Sequence, residues 1–318
     1  MRYVEISGLG SPVSNIGLGT TSRSFTTEPE PAPDLLEAFL GAGGNLVDTA
    51  HIYGFGTSEQ TLGRWFEESG RRDEVILLTK GCHPTVDPDD FFGTPWVSRV
   101  TPDAIRADLS ESLERLRTNH VDIYLLHRDD ETVDPGPLIE ALNEEQERGR
   151  IKVFGASNWS VRRIVEANEF AARNGLNGFV VSSPGMSLAR PTTIRYPGCL
   201  FADDAMRHWH ESSRLPLLAF SSLSAGFINR SPSSSPTDDD AGPYYSDENF
   251  ERLRRAQEIA KAKNATGLQV ALAFVLLQPF PVIGAIGPSS VSHLESALGA
   301  LDVELTAEEM EYLDLKQP

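Results

Sequence analysis

The chain alternates short apolar runs with longer segments in which apolar residues recur at helical spacing. The runs LVDTA, VILLTK, VDIYLLH and LPLLAF are almost continuously apolar, which is typical of strands buried on both faces of a parallel sheet. This pattern predicts strands at residues 16–19, 45–48, 75–80, 121–127, 152–157, 179–183, 217–220 and 282–285.

The segments between these strands predict helices. TPDAIRADLSESLERL opens with Thr101 before Pro102, the order expected at a helix start, and its apolar residues form a stripe along one helical face. Ser58 is a candidate N-cap for the helix that begins with SEQT. Further helices are predicted at residues 33–42, 58–68, 160–174, 201–210, 249–264 and 291–301.

Eight strand–helix alternations follow an N-terminal segment, RYVEISGLGSPVSNIGLG, that is predicted to form a hairpin. Eight such units without a linker predict an α/β fold, a (β/α)8 TIM barrel that forms a single domain over residues 1–318. A doubly wound sheet is the alternative, but no G-x-G-x-x-G motif follows the first strand. In a barrel, the long connections after the strands, including the low-complexity stretch at 229–243, lie at the face where active sites are found.

Composition and charge narrow the possible partners. Of 318 residues, 40% are hydrophobic and 23% are charged, and 28 basic against 46 acidic residues give a net charge of −18. Such a surface disfavours nucleic acid and anionic lipid as partners. No apolar run reaches the ~20 residues of a membrane span and the N-terminus lacks a signal-peptide pattern, so a cytoplasmic protein is expected. Cys82 and Cys199 fit a reducing compartment better than a disulfide framework.

Four ionisable residues lie at or just beyond the ends of three predicted strands: Asp48, Tyr53, Lys80 and His127. In a barrel these ends meet around one mouth, so the four side chains are expected to converge. Asp48 and Lys80 would neutralise each other, since either charge alone is costly when buried. At ~4 Å and an effective dielectric constant of ~20, a lysine stabilises a phenolate by ~4 kcal/mol, which would bring the pKa of Tyr53 from ~10 towards ~7. His127 could bind a substrate oxygen, and a redox cofactor would be required as the source of hydride.

Six motifs carry a family likeness: GGNLVDTAHIYGFGTSEQTLGRWF, VILLTK, SLERLRTNHVDIYLLH, GRIKVFGASNWS, LLAFSSLSAGF and GPSSVSHLESAL. On the basis of these motifs, the sequence resembles the aldo-keto reductase superfamily over nearly its whole length. The resemblance implies a barrel that binds NADPH or NADH in extended form and interconverts a carbonyl and an alcohol. It implies that Tyr53 is the general acid for reduction and the base for oxidation. It also implies that Lys80 lowers the pKa of Tyr53, that Asp48 pairs with Lys80, and that His127 orients the carbonyl.

The resemblance also assigns cofactor contacts. Ser157 and Asn158 match the pair that binds the nicotinamide carboxamide, and Phe220 falls where an aromatic ring stacks on the nicotinamide. The remaining contacts are expected from the segment around the pyrophosphate and from the helix beyond it: Ser221, Leu223, Ala225, Gly287, Ser289, Ser290 and His293.

The chain departs from the family pattern at two places. Ser183 or a neighbour stands at the end of the sixth strand, where a glutamine is usual, so the carboxamide contact there is weakened or differently made. The stretch GPSSVSHLESAL has no lysine or arginine for a 2′-phosphate, and Ser296 and Ala297 stand where an acidic–amide pair meets the adenine. A serine pair at a helix N-terminus can still bind phosphate, so both cofactors stay open, with NADH more plausible than in a typical member.

Aromatic and polar side chains are mixed in the predicted mouth loops. The candidate substrate contacts are Phe55, Trp96, Arg128, Trp159 and Met186, and further mouth residues are Phe91, Phe92, Tyr244, Asp129 and Ser187. This mixture favours a sugar, cyclitol or keto-sugar and suits an aryl aldehyde almost as well. Arg128 is either a substrate contact or a salt-bridge partner of Asp129, Asp130 or Glu131.

Other functions stay open at this point. A nicotinamide-binding regulatory protein with weak turnover would share the barrel and the four residues, as ion-channel β subunits do. A cofactor-free hydrolase with paired carboxylates would leave the SNW motif and Lys80 unexplained. His51 and His83 flank the strands that carry the four residues, and each is either close to the pocket or a solvated loop residue. His208 and His210 do not share a helical face, so no metal site is predicted.

Overall fold

The computed structural model describes residues 1–87, 89–90, 96–231, 233 and 240–317. Its strands are β1 (Tyr3–Val4), β2 (Val13–Ser14), β3 (Ile16–Gly19), β4 (Leu46–Asp48), β5 (Ile76–Gly81), β6 (Val121–Leu126), β7 (Ile151–Ser157), β8 (Ser182–Ser183), β9 (Leu217–Ala219) and β10 (Val282–Ile286). Its helices are α1 (Arg23–Thr26), α2 (Ala32–Gly41), α3 (Thr57–Ser69), α4 (Pro102–Arg115), α5 (Pro135–Glu147), α6 (Val161–Asn174), α7 (Asp204–Ser213), α8 (Asp247–Lys263), α9 (Gly267–Leu276), α10 (Val291–Leu298) and α11 (Ala307–Leu313). Short 3₁₀ helices span Tyr53–Gly56, Arg72–Glu74, Ser224–Asn229, Gly242–Tyr244 and Gly299–Asp302.

Parallel strands form a closed barrel in the order β10-β3-β4-β5-β6-β7-β8-β9, which confirms the predicted (β/α)8 architecture. β1 and β2 pair antiparallel ahead of the barrel, as the hairpin prediction required. Pairing of β10 with β3 excludes the doubly wound sheet, because an open sheet would leave both edges unpaired. The register pairs Gly19 with Asp48 and Lys80 with Leu125, so the ends of β3 to β6 lie side by side.

Both faces of the barrel strands are buried, in agreement with the apolar runs. In β6, Ile123 and Leu125 pack inside the barrel, whereas Tyr124 and Leu126 pack towards the surrounding helices. Val13 belongs to the same interior cluster as Ile123 and lies just before β3. The hairpin therefore covers the end of the barrel at which the strands begin and leaves the opposite end for the long connections.

Several predicted element boundaries are wrong, among them those of α7, which was predicted at 201–210 and spans Asp204–Ser213. Two other errors have a physical cause in the structure. The strand predicted at 179–183 is reduced to Ser182–Ser183, because the side chain of Asn168 hydrogen-bonds both backbone groups of Phe179 in place of a neighbouring strand. Ser58 does not cap α3: the N-cap is Gly56, and the Ser58 hydroxyl donates to Thr20 Oγ1 at 2.7 Å.

Four helices, α1, α5, α9 and α11, were not predicted from the sequence, and for α5 and α9 the reason is clear. α9 is apolar on nearly every side, so it has no stripe of helical period to detect. The sequence feature that could have predicted α9 is its capping box, in which the side chains of Thr266 and Gln269 each accept a hydrogen bond from the other residue's backbone amide. For α5, the signal was Asp134 before Pro135, because the Asp134 side chain caps the helix through the Gly136 amide.

Some predictions fall on residues that the structure does not describe. Phe91 and Phe92, as well as residues 232 and 234–239 of the low-complexity stretch, lie outside the described residues. Within the described ranges, no helix is long and apolar enough to cross a bilayer. The cytoplasmic location stays a prediction.

Gly63 and Gly41 both lie in helices. Replacing each with alanine should change the free energy of unfolding in opposite directions. A Cβ on Gly63 would lie 2.1 Å from the Arg115 carbonyl oxygen, so α3 and α4 would have to move apart. We expect Gly63→Ala to lower the free energy of unfolding by about 1–3 kcal/mol. The Cβ position of Gly41 meets open space, so Gly41→Ala should raise the free energy of unfolding by up to about 1 kcal/mol. Denaturant unfolding measures both, and equal losses would show that crowding at Gly63 is not the cause.

Candidate active site

The four ionisable residues that the sequence placed at strand ends meet at one end of the barrel. Lys80 Nζ forms an ion pair with the Asp48 carboxylate, and the side chains of the two residues are 2% and 5% exposed. Lys80 Nζ also donates hydrogen bonds to Tyr53 Oη at 3.1 Å and to the Thr49 carbonyl at 2.9 Å. The His127 and Tyr53 rings lie 5.8 Å apart at 75°. The structure therefore brings the four side chains together, while the catalytic role of each stays a prediction.

Tyr53 is held by a tight turn between β4 and α3. Its amide donates to the Ala50 carbonyl at 3.0 Å, and Gly54 and Phe55 follow in the left-handed region with φ of 57° and 51°. A Cβ on Gly54 would come within 2.9 Å of the Thr26 Cβ, so both the backbone conformation and the packing require glycine. Gly54 thus sets the direction in which the backbone continues from Tyr53 into α3.

Burial opposes the effect that Lys80 was expected to have on Tyr53. Desolvation of the phenolate raises the pKa of Tyr53 above its ordinary value, and the Lys80 charge lowers it without outweighing burial. The prediction of a pKa near ~7 is wrong, because it counted the lysine charge and left out desolvation. Burial also disfavours the Lys80 ammonium, but Asp48 and Tyr53 together hold the pKa of Lys80 above its ordinary range, so this lysine is charged.

Two neutral histidines line the cavity beside Tyr53. Burial, together with the Arg128 charge, holds the pKa of His127 well below its ordinary range, and the same two causes lower the pKa of His83 to about 4. The two rings lie 5.0 Å apart, and His127 Nδ1 has no hydrogen-bond partner among the described residues. His83 is 4% exposed and lines the cavity, so of its two interpretations the position near the pocket is confirmed and the solvated loop residue is wrong. His51 lies behind the site, where its Nε2 is 2.9 Å from the Glu111 carboxylate.

Most of the predicted cofactor residues line one cavity of about 770 Å³ together with the four ionisable residues. They are Ser157, Asn158, Phe220, Ser221, Leu223, Ala225, Gly287, Ser289 and His293. Ser183 and Ser290 do not line it. Ser183 is buried behind Ser157, whose hydroxyl donates to the Ser183 carbonyl at 2.9 Å. Ser290 is the N-cap of α10 and accepts a hydrogen bond from the His293 amide.

The residues along this cavity fit a nicotinamide dinucleotide. Phe220 supplies an aromatic face for a ring, and Ser221, Ser224 and Ala225 have φ of 52°, 53° and 50°. Non-glycine residues in this strained conformation cluster where a backbone clamps a ligand. The N-terminus of α10 follows directly after the lining residue Ser289, and a helix N-terminus attracts phosphate.

Two of the five candidate substrate residues, Phe55 and Arg128, line the cavity, and three do not. Trp96 packs against His83, with ring centroids 5.2 Å apart. Trp159 and Met186 are buried at 1% and 3% exposure, and Trp159 Nε1 donates to the Arg128 carbonyl at 3.1 Å. Large apolar side chains in loops are buried when neighbouring elements cover them, so Trp159 and Met186 support the site from behind, whereas Trp96 is half-buried.

The lining residues that sequence reasoning missed include Tyr196 and Asp240, which contact each other. The Tyr196 hydroxyl donates to the Asp240 carboxylate at 2.6 Å across a sequence separation of 44 residues. Both lie in connections without periodic pattern, and no motif marks either of them.

The sequence model of the aldo/keto reductase family matches residues 15–317. The chain belongs to the aldo/keto reductase family. This aldo/keto reductase is accordingly an NAD(P)-dependent oxidoreductase, and the family activity is the NAD(P)H-dependent reduction of carbonyl compounds.

Two curated relatives illustrate matches over nearly the whole length of this aldo/keto reductase. The uncharacterized oxidoreductase YrpG of Bacillus subtilis (strain 168) is 27% identical over 321 residues, which cover 99% of this chain and 95% of the relative. An NADP(+) aryl-alcohol dehydrogenase of Phanerodontia chrysosporium is 27% identical over 340 residues, which cover 96% of this chain and 83% of the relative. The solved structure of a glycerol dehydrogenase from Gluconobacter oxydans has a TM-score of 0.80 at 22% identity, covering 98% of this chain and 94% of that chain, and shares the fold.

Proposed function

We propose that this reductase interconverts a carbonyl and an alcohol in the cavity, with Tyr53 as proton donor for reduction and proton acceptor for oxidation. The observation that supports this is the hydrogen bond from Lys80 Nζ to Tyr53 Oη, 3.1 Å long, together with the ion pair of Lys80 with the buried Asp48. A hydroxyl at a cavity wall with a fixed ammonium beside it can release a proton into a site where its anion already has a partner.

Each residue contributes a separate part of this chemistry. A bound nicotinamide supplies the hydride. Burial keeps the Tyr53 phenol protonated at neutral pH, so it can donate its proton to the carbonyl oxygen. The Lys80 ammonium then stabilises the Tyr53 anion, and Asp48 fixes the position of Lys80. The neutral His127 imidazole hydrogen-bonds the carbonyl oxygen and orients it without adding charge.

The cofactor would be held by the lining residues on the far side of the barrel mouth. Ser157 and Asn158 would bind its carboxamide, Phe220 would stack on the nicotinamide ring, and residues 221–226 would enclose the pyrophosphate. No lysine or arginine lies at residues 287–297, where a 2′-phosphate would need a cation. We therefore propose that NADH binds at least as tightly as NADPH.

A single arginine should move the cofactor preference towards NADPH. Ser296 is exposed and lines the cavity on α10, so Ser296→Arg adds a cation where the stretch has none. We expect the Kd for NADPH to fall about tenfold or more and the Kd for NADH to change little, because a hydrogen bond to a charged group contributes about 1.5–3 kcal/mol. Quenching of tryptophan fluorescence measures both. Ser292→Arg, on the same helix but outside the cavity lining, is the matched control, and an equal shift there would contradict a direct phosphate contact.

The same titration, followed by a panel of carbonyl compounds and polyols, tests the proposed function as a whole. Quenching by either nicotinamide with turnover of at least one compound would support it. Binding without turnover would favour a nicotinamide-binding regulatory protein. No quenching by either cofactor would contradict the proposal.

The cavity favours a polar carbonyl substrate such as a sugar, cyclitol or keto-sugar. His83, Arg128 and Tyr196 add hydrogen-bonding groups beside the aromatic faces of Phe55 and Phe220. An aryl aldehyde is the second candidate, because the same aromatic faces suit it and one relative is an aryl-alcohol dehydrogenase. Reduction of hydrophobic aldehydes alone, with no sugar or polyol turned over, would contradict the first choice.

A further inference from the structure

Arg128 is a buried guanidinium in the cavity wall without an acidic partner in the described chain. It is 6% exposed. Its Nε donates to the Pro197 carbonyl at 3.2 Å and its Nη1 to the His127 carbonyl at 2.9 Å. Two carbonyl dipoles compensate a buried charge only in part, since such charges are normally paired. The position is therefore suited to a ligand that brings a negative charge.

The acidic residues that the sequence offered as salt-bridge partners of Arg128 are engaged elsewhere. Asp129 pairs with Arg163 at 3.1 Å, and Glu131 pairs with Arg162 at 2.8 Å. The Asp130 carboxylate accepts a hydrogen bond from the Thr132 hydroxyl. The salt-bridge interpretation of Arg128 is therefore wrong.

The acids of the cavity wall are occupied as well. Asp48 pairs with Lys80. Asp240 accepts the Tyr196 hydroxyl and lies 3.0 Å from Arg195 Nε. Among the described lining residues, Arg128 is thus the permanent cation left without a counter-charge, in a chain of net charge −18.

The groups around Arg128 keep its charge available beside the reaction site. Arg128 directly follows His127, and its Cζ lies 5.9 Å from the Trp96 ring centroid. After burial, the Arg128 charge is the next cause that lowers the pKa of both His127 and His83, so these neighbours stay neutral and add no second cation. A substrate whose carbonyl lies between Tyr53 and His127 can place a group a few bonds away against this guanidinium.

We propose that the substrate carries a carboxylate a few bonds from its reactive carbonyl and that Arg128 binds this carboxylate. The planar guanidinium matches a carboxylate in shape and charge, and a bound carboxylate supplies the missing counter-charge. This inference rests on the proposed function and narrows its substrate class to oxo acids, such as sugar acids or carboxylated aryl aldehydes.

Matched pairs of substrates, with and without the charge, test the proposal. The pairs are D-glucuronate against D-glucose and 4-carboxybenzaldehyde against 4-formylbenzamide, each at saturating NADH. We expect kcat/KM to be about tenfold or more higher for the acid in each pair, mainly through KM. Arg128→Met should reduce this ratio about tenfold, and Arg128→Lys should restore part of it because it returns the charge without the planar fork. Arg173→Met, which removes one exposed cation from α6, is the control and should leave the ratio unchanged.

The outcomes separate this inference from the proposed function. Equal kcat/KM for acid and uncharged partner in both pairs would overturn the inference while leaving the reductase activity in place. No turnover of any compound and no cofactor binding would overturn the proposed function itself. If Arg128→Met does not fold, benzoate and benzamide are compared as competitive inhibitors of the unaltered protein: tighter inhibition by benzoate supports the inference, and equal inhibition overturns it.

Discussion

Replacing Tyr53 with phenylalanine should lower kcat by about 10²–10⁴-fold, the usual contribution of a general acid or base, while the Kd for NADH stays within about threefold of its original value. The substitution keeps the aromatic ring beside Lys80 and removes only the hydroxyl, which lies 3.1 Å from Lys80 Nζ. Proton donation to the carbonyl is lost, whereas the residues proposed to hold the cofactor are unchanged. Steady-state kinetics with a turned-over substrate and fluorescence titration with NADH measure the two quantities.

Tyr3→Phe is the matched control for this substitution. Tyr3 is 51% exposed at the hairpin, and its hydroxyl donates to the Gly43 carbonyl. Loss of this contact should leave kcat unchanged. A Tyr53→Phe protein that loses cofactor affinity but keeps its kcat would show that Tyr53 binds the cofactor and does not transfer the proton.

The convergence of the four ionisable residues at the barrel mouth could be predicted, because the order of the strands in the chain determines their order around the barrel. Asp48, Lys80 and His127 each end an apolar run, and neighbouring runs become neighbouring strands. Polar residues at the ends of these strands therefore lie next to one another around the barrel mouth. Tyr53 lies beside these residues because of the tight turn that follows β4, and the glycine after Tyr53 in the sequence indicated this turn.

Other features of the site depend on burial and on contacts between loops, which residue type does not determine. The pKa of Tyr53 lies above its ordinary value because burial desolvates the phenolate, and burial likewise lowers the pKa of His83. The contact of Tyr196 with Asp240 joins two connections without periodic pattern. The placement of Trp159 in the core likewise required knowledge of what covers it.

The buried ion pair of Lys80 with Asp48 predicts a large effect on stability. Lys80→Met should lower the free energy of unfolding by about 3–5 kcal/mol, because it leaves the Asp48 carboxylate buried without its partner. The neutral double variant Asp48→Asn with Lys80→Met should regain most of this loss, since replacing both charges removes the desolvation penalty. Activity should stay low in both proteins, because the ammonium that stabilises the Tyr53 anion is missing in each.

Denaturant unfolding of the two single variants and the double variant gives the coupling free energy, and kinetics follow the same set of proteins. Lys263→Met applies the same substitution to the partly exposed ion pair of Lys263 with Glu309, 2.9 Å apart, and should lower the free energy of unfolding by no more than about 1 kcal/mol. If the losses of Asp48→Asn and Lys80→Met simply add in the double variant, the two charges do not depend on each other. If the double variant instead recovers stability but not turnover, the pair is present for the chemistry at Tyr53, because a neutral pair would support the barrel equally well.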